Sequence, residues 1–468
     1  MLPKTKIVCT IGPSSSSEVM LEHLILSGMN VARLNFSHGT HDDHLNIMNR
    51  IRYLGETLGK PVAILQDLCG PKIRVGQMPE SGLMLAAGED LILTTDVTTG
   101  NDGRVSVSYP FLPDEVQPHD RILLADGMME VEVGRIIGSN IFCKVIIGGI
   151  LTSHKGLNLI TGTLHAPSLT EKDRIDLAFG LENNVDYVAL SFVRKPEDIL
   201  TVKAIMAETG KDVPVIAKIE KHEALECIDE IIRVSDGIMV ARGDLGVEIP
   251  LENVPHIQKS LIIKARKAGK PVIIATQMLR SMVESPRPTR AEASDVANAV
   301  LDGTDAIMLS EETANGDYPS EAVRYMARIA ICAEQNFSHD RMLDQMPEKE
   351  ISESVAHASC VLADHLNVTA IVTPTRSGHT AMQVSKFRPR QRILALCPEM
   401  ETVRRLCLYW GCLPVYVPDA SESDDLVEKA TRTALQTGQC TPGDLVVITS
   451  GYPVWVAGLT NRMSVKRL

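Results

Sequence analysis

The segments VIAKIE, at residues 215–220, and GIMVARGD, at residues 237–244, contain the pattern that decides the fold. Each is a short apolar run that contains or ends in charged side chains. Continuous apolar runs of this length are typical of strands that are buried on both faces of a parallel sheet. Six further runs of the same kind occur along the chain: KIVCTIG from Lys6, VARLNFS from Val31, VAILQD from Val62, YVALSF from Tyr187, VIIATQ from Val272 and AIMLSEE from Ala306.

Stretches with helical periodicity fill most of the intervals between these eight runs. Strand and helix alternating eight times predict an α/β fold of the (β/α)8, or TIM, barrel type. A doubly wound open sheet is the structural alternative. In a barrel the side chains at the carboxyl ends of the strands line the active site, so those positions are the first candidates for function.

The composition excludes several classes of protein. A chain of 468 residues with 44% hydrophobic and 23% charged residues is a globular protein of about three domains. The formal charge of −12 leaves no overall basic surface for nucleic acid. No apolar run is long enough to span a membrane and no signal peptide begins the chain, so we expect a cytoplasmic protein. The ten cysteines include no CxxC pair, which predicts reduced thiols and no zinc site.

Two regions depart from the barrel pattern. Residues after Asp67 are rich in Gly, Asp and Thr with short alternating runs, which predicts a small β-barrel inserted as a lid. An insert without contact to the chemistry is the alternative. After the linker-like NFSHDRMLDQMPEKE, alternating strands and helices predict an open α/β domain. We therefore expect the barrel at 1–70 and 167–336, the lid at 71–166 and the C-terminal domain at 351–468.

Polar and charged residues stand at nearly every predicted strand end. Glu220 and Asp244 follow neighbouring strands and are the oxygen ligands that Mg²⁺, or Mn²⁺, prefers; ordinary charges on the barrel rim are the alternative. Lys218 points to the same side as Glu220. It is either a charge partner there or a cation for a transferring phosphoryl group. Arg33 and Arg74 add guanidinium groups that suit phosphate or carboxylate.

Several local motifs are too specific for composition to explain, and with them the chain resembles the pyruvate kinase family along its whole length. They are CTIGP at Cys9, MNVARLNFSHG at Met29, DLCGPKIR at Asp67, LADG at Leu124, KGLNL at Lys155, SFVRKPED at Ser191, AKIE at Ala217, DGIMVARGDLGVEIP at Asp236, ATQML at Ala275 and PRPTRAE at Pro286. The resemblance implies transfer of the phosphoryl group of phosphoenolpyruvate to ADP, giving pyruvate and ATP. It also implies a lid that closes over the barrel and a homotetramer.

The resemblance assigns roles to residues of this chain. Catalytic roles fall to Lys218, Thr276, Arg33 and Lys72, and the divalent ion to Glu220 and Asp244. Thr276 would help deliver a proton to the enolpyruvate carbon, through water because a hydroxyl is a poor acid. Substrate contacts are expected from Arg33, Arg74, Ser191, Lys218, Ala241, Arg242, Gly243, Asp244 and Thr276, and nucleotide contacts from Thr10, Arg33, Asn35, His38 and Lys155.

A monovalent cation is expected to be dispensable. Asn35, Ser37, Asp67 and Leu68 match the positions that hold potassium in many members. Here Lys72 replaces the acidic residue of the potassium-requiring branch, and its ammonium is predicted to act there in place of the ion. A solvated lysine at the lid hinge is the alternative.

The chain departs from the family pattern at three places: NLIT at 158–161 replaces NLPG in the lid hinge, Glu311 replaces a glycine, and Asn315 replaces a lysine.

In the C-terminal domain, TRSGHT resembles the family's effector phosphate loop. Its residues Thr375, Arg376, Ser377, Gly378, His379 and Thr380 would bind a phosphorylated effector at a helix N-terminus; a plain turn is the alternative. Two other functions stay open on the residues alone: an Mg²⁺-dependent lyase or aldolase acting on pyruvate-like enolates, and a catalytically silent metabolite-binding regulator.

Overall fold

Eight parallel strands form a closed barrel in a computed structural model that describes residues 2–100, 103–125, 127–159, 168–344, 349–417, 423–452 and 458–468. The strands follow one another around the barrel in chain order, and the last pairs with the first. This confirms the predicted TIM barrel, since a doubly wound sheet would be open. The strands are β1 (Lys6–Thr10), β2 (Val31–Asn35), β3 (Ala63–Asp67), β12 (Tyr187–Leu190), β13 (Val215–Ile219), β14 (Gly237–Ala241), β15 (Val272–Ala275) and β16 (Ala306–Leu309).

The barrel strands are buried on both faces, as their continuous apolar runs predict. Inward-facing residues such as Val8, Ile216 and Met239 form one core inside the barrel, and a second, larger core lies between strands and helices. The helices of this part are α1 (Glu18–Ser27), α2 (His41–Thr57), α4 (Glu171–Glu182), α5 (Pro196–Glu208), α6 (His222–Glu226), α7 (Ile228–Val234), α8 (Arg242–Glu248), α9 (Val254–Lys267), α10 (Arg290–Leu301), α11 (Glu311–Ala314) and α12 (Pro319–Glu334).

Local sequence signals explain where several of these helices begin. Thr40, Thr170 and Thr289 each precede a helix and accept a hydrogen bond from the backbone N–H three residues on. The acidic residue at that third position bonds back to the threonine N–H, which completes a capping box. These starts fix where each helix meets the preceding strand end.

The described part of the segment after β3 is all-β apart from one short helix, α3 (Leu112–Glu115). Its strands are β4 (Leu83–Leu85), β5 (Asp90–Thr94), β6 (Arg104–Ser106), β7 (Arg121–Leu124), β8 (Met129–Ile137), β9 (Asn140–Ile147), β10 (Gly149–Leu151) and β11 (Leu157–Leu159). They form a six-stranded sheet and a separate two-stranded sheet. Arg74 and Val75 bridge the two edges of the six-stranded sheet, at Gly156 beside β11 and at Val107 beside β6, so this sheet closes on itself as the predicted small β-barrel. The expected boundary at residue 166 lies outside the described residues.

The C-terminal segment is the open α/β unit that the sequence predicts. Strands β17 (Ala370–Pro374), β18 (Arg392–Cys397), β19 (Cys412–Tyr416) and β20 (Leu445–Ser450) are parallel, and an unpredicted β21 (Arg462–Arg467) runs antiparallel at the edge. The helices are α13 (His339–Leu343), α14 (Ile351–His365), α15 (His379–Lys386), α16 (Met400–Arg405) and α17 (Ser423–Gln436).

This unit packs against the amino-terminal end of the barrel. Cys407 and Leu408 belong to the same core as the inward-facing barrel residues, and the Tyr187 hydroxyl at the start of β12 donates to the Arg405 carbonyl, 2.6 Å away. The predicted linker is partly structured, because α13 buries His339 against the Arg388 carbonyl. Among the described residues, the helices are all too short or too polar to cross a membrane.

Candidate active site

A cavity of about 910 Å³ opens at the carboxyl ends of the barrel strands. Of the residues proposed from sequence, those that line it are Thr10, Arg33, Asn35, His38, Lys72, Lys218, Glu220, Ala241, Gly243, Asp244 and Thr276. These residues come from the ends of β1, β2, β13, β14 and β15 and from the start of the inserted segment. A barrel brings them to one place although they are more than 260 residues apart in the chain (276 − 10 = 266).

Lys218 lies at the centre of a buried ionic network on the floor of this cavity. Its Nζ is 3.0 Å from Glu220 Oε1 and 3.2 Å from Asp67 Oδ1, and it donates to Ser191 Oγ at 2.7 Å. Burial by itself lowers the pKa of a lysine, but the two carboxylates outweigh it and raise the pKa of Lys218 above its ordinary value. The ammonium is therefore a permanent, fixed positive charge.

Arg33 extends the network on the side of β1. Its Nε is 2.6 Å from Asp67 Oδ2, and a terminal nitrogen donates to Thr10 Oγ1 at 2.9 Å. Burial raises the pKa of the Asp67 carboxyl, but Lys218 and Arg33 lower it more, so the pKa stays below its ordinary value. Asp67 thus holds two cations in place and is itself almost fully buried.

Glu220 and Asp244 differ in their surroundings. Burial raises the pKa of Glu220, with the Asp244 charge adding to the rise and Lys218 opposing it. One Glu220 oxygen accepts from the Phe192 N–H at 2.8 Å, while Asp244 is more exposed. Two carboxylates that repel each other across one cavity are a donor set that suits a divalent cation.

Lys72 lies close to Asp244. Its Nζ is 3.6 Å from Asp244 Oδ1, and its side chain is about a quarter exposed. The sequence placed this ammonium beside Asn35, Ser37 and Asp67, whereas the contact found here is with a carboxylate expected to bind the divalent ion. The segment that was expected to act as a lid therefore contributes to the cavity, which contradicts the alternative of an insert without contact to the site.

The positions expected for a monovalent cation are engaged by protein donors. Asp67 accepts from Arg33 and Lys218, as described. The Leu68 carbonyl accepts from the Ser191 hydroxyl at 2.7 Å, and Asn35 Oδ1 accepts from the Ser37 N–H at 3.2 Å. Of these groups, Ser37, Asp67 and Leu68 do not line the cavity.

Thr276 stands in a strained backbone conformation at the end of β15. Its φ is +71°, and that of Gln277 is +55°; a β-branched residue in this region is a genuine outlier. The conformation turns Thr276 Oγ1 toward Gly243, whose N–H it accepts at 2.8 Å. Strain of about 1–3 kcal/mol of this kind is characteristic of functional sites, and the surrounding contacts maintain it.

Other residues proposed from sequence lie away from the cavity. The Arg242 guanidinium contacts Asp295 at 2.7 Å and the Thr276 carbonyl at 2.8 Å, so it supports the loop of Thr276. Ser191 lies beneath the cavity against Lys218. Arg74 bonds to the His154 carbonyl at 3.0 Å, and Lys155 is an exposed residue of the inserted segment. Neither Arg74 nor Lys155 lines the cavity.

Sequence reasoning missed several lining residues. Arg50, in α2, and Arg280, beyond β15, add guanidinium groups to the cavity wall, and Gln277 adds an amide. Arg280 pairs with Glu311 at 2.8 Å. The only signal for Arg280 was its place five residues after a strand end (280 − 275 = 5), and Arg50 had none, because it lies three turns into a helix.

The phosphate-loop motif of the C-terminal domain joins β17 to α15, as predicted. Gly378 has φ +86° and a Cβ there would come within 2.9 Å of Met382 Cε, so the turn requires glycine. Ser377 is exposed, Arg376 pairs with Glu399 at 3.4 Å, and Thr380 shares a hydrogen bond with Thr460 at 2.9 Å. His379 is the first helical residue, and burial lowers its pKa.

The departure from the family pattern at NLIT falls partly on residues 160 and 161, which lie outside the described residues.

Fold and site together define an enzyme of the TIM-barrel class, with a cationic and carboxylate-lined cavity suited to phosphoryl transfer. Comparison with known proteins then specifies the family. The family model for the pyruvate kinase barrel domain matches residues 2–323, and that for the pyruvate kinase alpha/beta domain matches residues 353–466. The chain belongs to the pyruvate kinase family.

Curated relatives agree over nearly the whole chain. The pyruvate kinase of Staphylococcus haemolyticus is 47% identical over 467 residues, which cover 98% of this chain and 80% of the relative. The pyruvate kinase of Staphylococcus aureus strain MRSA252 is 46% identical over 467 residues, with 99% and 80% covered. The resemblance and the phosphotransferase class expected from sequence are thereby confirmed.

Proposed function

We propose that this chain transfers the phosphoryl group of phosphoenolpyruvate to ADP in the cavity described above. The observation that carries the proposal is the buried Lys218 ammonium, held between Asp67 and Glu220 at the cavity floor. A preorganised cation of this kind stabilises the charge that develops on a transferring phosphoryl group and needs no reorganisation during the step. Family membership supplies the identity of the donor and the acceptor.

Other residues of the cavity and of the inserted segment would bind the phosphoryl group and the nucleotide. Arg33, which is fixed by Asp67, presents its guanidinium to the phosphoryl group. Thr10 and His38 line the same wall and would face the nucleotide. Lys155 would reach the nucleotide only if the inserted segment closed over the cavity, since it lies outside the lining.

Glu220 and Asp244 are the proposed ligands of Mg²⁺ or Mn²⁺. When bound, such an ion would neutralise phosphate and carboxylate charge and orient the substrates. The buried Glu220 carboxyl, whose pKa burial raises, supports this because a nearby cation would favour its ionised form.

Thr276 is the proposed group nearest to the enolpyruvate carbon. Its hydroxyl donates to the Ala275 carbonyl at 2.7 Å and accepts from Gly243, so it is oriented within the cavity. In this position it would hold the water that delivers the proton to the methylene carbon.

The direct test is pyruvate formation from phosphoenolpyruvate, measured with and without ADP and Mg²⁺. Formation that requires both supports the proposal. Pyruvate formed equally well without ADP would indicate a hydrolase or lyase, and no pyruvate under any condition would indicate a silent binding protein.

We also propose that the enzyme does not require potassium. Lys72 places an ammonium 3.6 Å from Asp244, and oxygens of Asn35, Asp67 and Leu68 already accept protein hydrogen bonds. We expect full activity with tetramethylammonium as the monovalent cation, and a new potassium requirement in Lys72→Glu. Lys144→Glu, at an exposed site in the same inserted segment, is the matched control. Strong potassium activation of the wild type would contradict the proposal.

The TRSGHT loop is the proposed site for a phosphorylated effector. The exposed Ser377 and the backbone N–H groups at the start of α15 offer donors for a phosphate. We expect a sugar phosphate or a nucleoside monophosphate to shift the substrate saturation curve, by the 1–3 kcal/mol that is typical of allosteric coupling. Saturation curves recorded with a panel of such compounds test this.

We also propose that the protein is a homotetramer in the cytoplasm. Light scattering tests the number of subunits.

A further inference from the structure

Four cationic side chains meet where the C-terminal domain packs against the amino-terminal end of the barrel. Two of them belong to the barrel: Arg266, at the end of α9, and Lys270, before β15. The other two belong to the C-terminal domain: Lys386 is the last residue of α15, and Arg388 lies two residues further on. They line a small cavity together with Asp305 and Tyr409. This joint lies on the face of the barrel opposite to the catalytic cavity.

Three of the four cations have partners in the protein. Arg388 donates to Asp305 Oδ2 at 2.7 Å. Lys386 pairs with Glu353 at 2.9 Å, and Lys270 bonds to backbone carbonyls. The Asp305 carboxylate also accepts the N–H groups of Trp410 and Val272.

Arg266 is different. It is only 5% exposed, and among the described residues its Nε is buried without a hydrogen-bond partner. Burial, reinforced by the charge of Arg388 and opposed by the Asp305 carboxylate, lowers the pKa of Arg266 to about 10. A guanidinium at that pKa is still charged at neutral pH. A buried donor without a partner is unfavourable, and the neighbouring cations give the site a net positive charge, so an anion is the partner that suits both features.

The size of the cavity indicates which anion fits. Its volume is about 10 Å³, which corresponds to about one water-sized sphere. This space suits a ligand of one heavy atom better than a phosphate or sulfate group. The local charge is positive, since four cations face the carboxylates of Asp305 and Glu353. A single monatomic anion would offset the local positive charge, accept a hydrogen bond from the Arg266 guanidinium and fit the volume of the cavity.

We propose that the joint between the barrel and the C-terminal domain binds one halide-sized inorganic anion, with Arg266 as its principal ligand. The anion would cross-link the two parts, because Arg266 lies on a barrel helix and Arg388 on the C-terminal domain. A ligand that binds only the folded state raises the free energy of unfolding, and above Kd this increase grows with the logarithm of the ligand concentration. The joint should therefore be more stable in halide than in a bulky anion.

Two measurements test the proposal. The first is the anomalous signal of bromide in crystals of the wild-type chain grown in bromide, where we expect one peak beside Arg266. The second is the thermal midpoint in sodium bromide against sodium gluconate at equal ionic strength. We expect the midpoint to rise by about 1–3 °C in bromide and the rise to disappear in Arg266→Met.

Lys267→Met is the matched control, because Lys267 is the next residue of the same helix and is exposed. It removes the same charge and should keep the bromide effect. Methionine at 266 fills a similar volume without a charge, so the variant should fold. A water in place of the bromide peak, a peak without any shift of the midpoint, or an equal shift in Arg266→Met would overturn the proposal. Stabilisation by phosphate but not by bromide would overturn the choice of a monatomic anion.

Discussion

Replacing Lys218 by methionine removes the fixed charge at the cavity floor while keeping most of the side-chain volume. In the structure its ammonium is within 3.2 Å of both Asp67 and Glu220. Loss of one preorganised group that stabilises transition-state charge typically costs about 3–4 kcal/mol, or roughly 10²- to 10³-fold in turnover. We expect Lys218→Met to lose phosphoryl transfer by at least that factor.

The same substitution affects stability. Asp67 keeps Arg33 as a partner, but Glu220 loses its ion pair with Lys218, so the pKa of Glu220 rises further. A carboxyl whose pKa is raised in the folded state stabilises the protein below its ordinary pKa and loses that contribution as pH rises. The stability gap between Lys218→Met and wild type should therefore be larger at pH 8 than at pH 5. Removing one partner of a buried pair costs about 3–5 kcal/mol, and Arg33 should keep the loss near the lower end.

The assay separates chemistry from folding. Turnover is measured by pyruvate formation, folding by the unfolding midpoint, and the proton-transfer half-reaction by exchange of the pyruvate methyl protons with solvent. Exchange should partly survive in Lys218→Met, because Thr276 is unchanged. Ser191→Ala is the control, since it removes one hydrogen bond to Lys218 and keeps the charge; we expect a loss of about tenfold at most. Near wild-type turnover in a folded Lys218→Met enzyme would refute the reasoning.

Three further substitutions probe other parts of the molecule. Thr276→Ala leaves the Gly243 N–H without its acceptor and should reduce turnover by about 10²-fold, whereas Thr276→Ser should stay close to wild type; equal kinetics for both variants would contradict the hydroxyl's role. Asn158→Leu removes the 3.3 Å hydrogen bond from the inserted segment to Glu248 and should raise the KM for ADP more than it lowers kcat, which steady-state kinetics can show. Gly378→Ala places a side chain at φ +86° and should lower the free energy of unfolding by about 1–2 kcal/mol, as chemical denaturation would detect.

The eight strands were predictable because each is a continuous apolar run, and a strand buried on both faces needs such a run. The strand that the sequence missed, β21, has the opposite character. Its residues RMSVKR are mostly exposed at the sheet edge, so no buried face leaves a pattern in the sequence. The separate two-stranded sheet of the inserted segment was equally hidden, because strand pairing depends on long-range contacts and not on local periodicity.

Among the site residues, those at strand ends were predictable for the same reason that the strands were. Lys218 and Glu220 are two residues apart at the end of one strand, so their side chains point to the same side of the sheet. Both line the cavity in the structure. Arg74 and Lys155 could not be placed in this way, since their positions depend on how the inserted segment sits over the barrel.

The barrel, the order of its strands and the set of charged residues at their ends can be read from the amino-acid sequence, because local hydrophobicity and alternation encode burial and direction. The pairing of those charges becomes visible only in the folded chain. Asp67 accepts two cations, Lys72 faces Asp244, and the Nε of Arg266 is buried without a partner among the described residues. These pairings depend on distances of a few ångströms between residues far apart in the chain. Electrostatic energy changes steeply over such distances, and no local pattern records them.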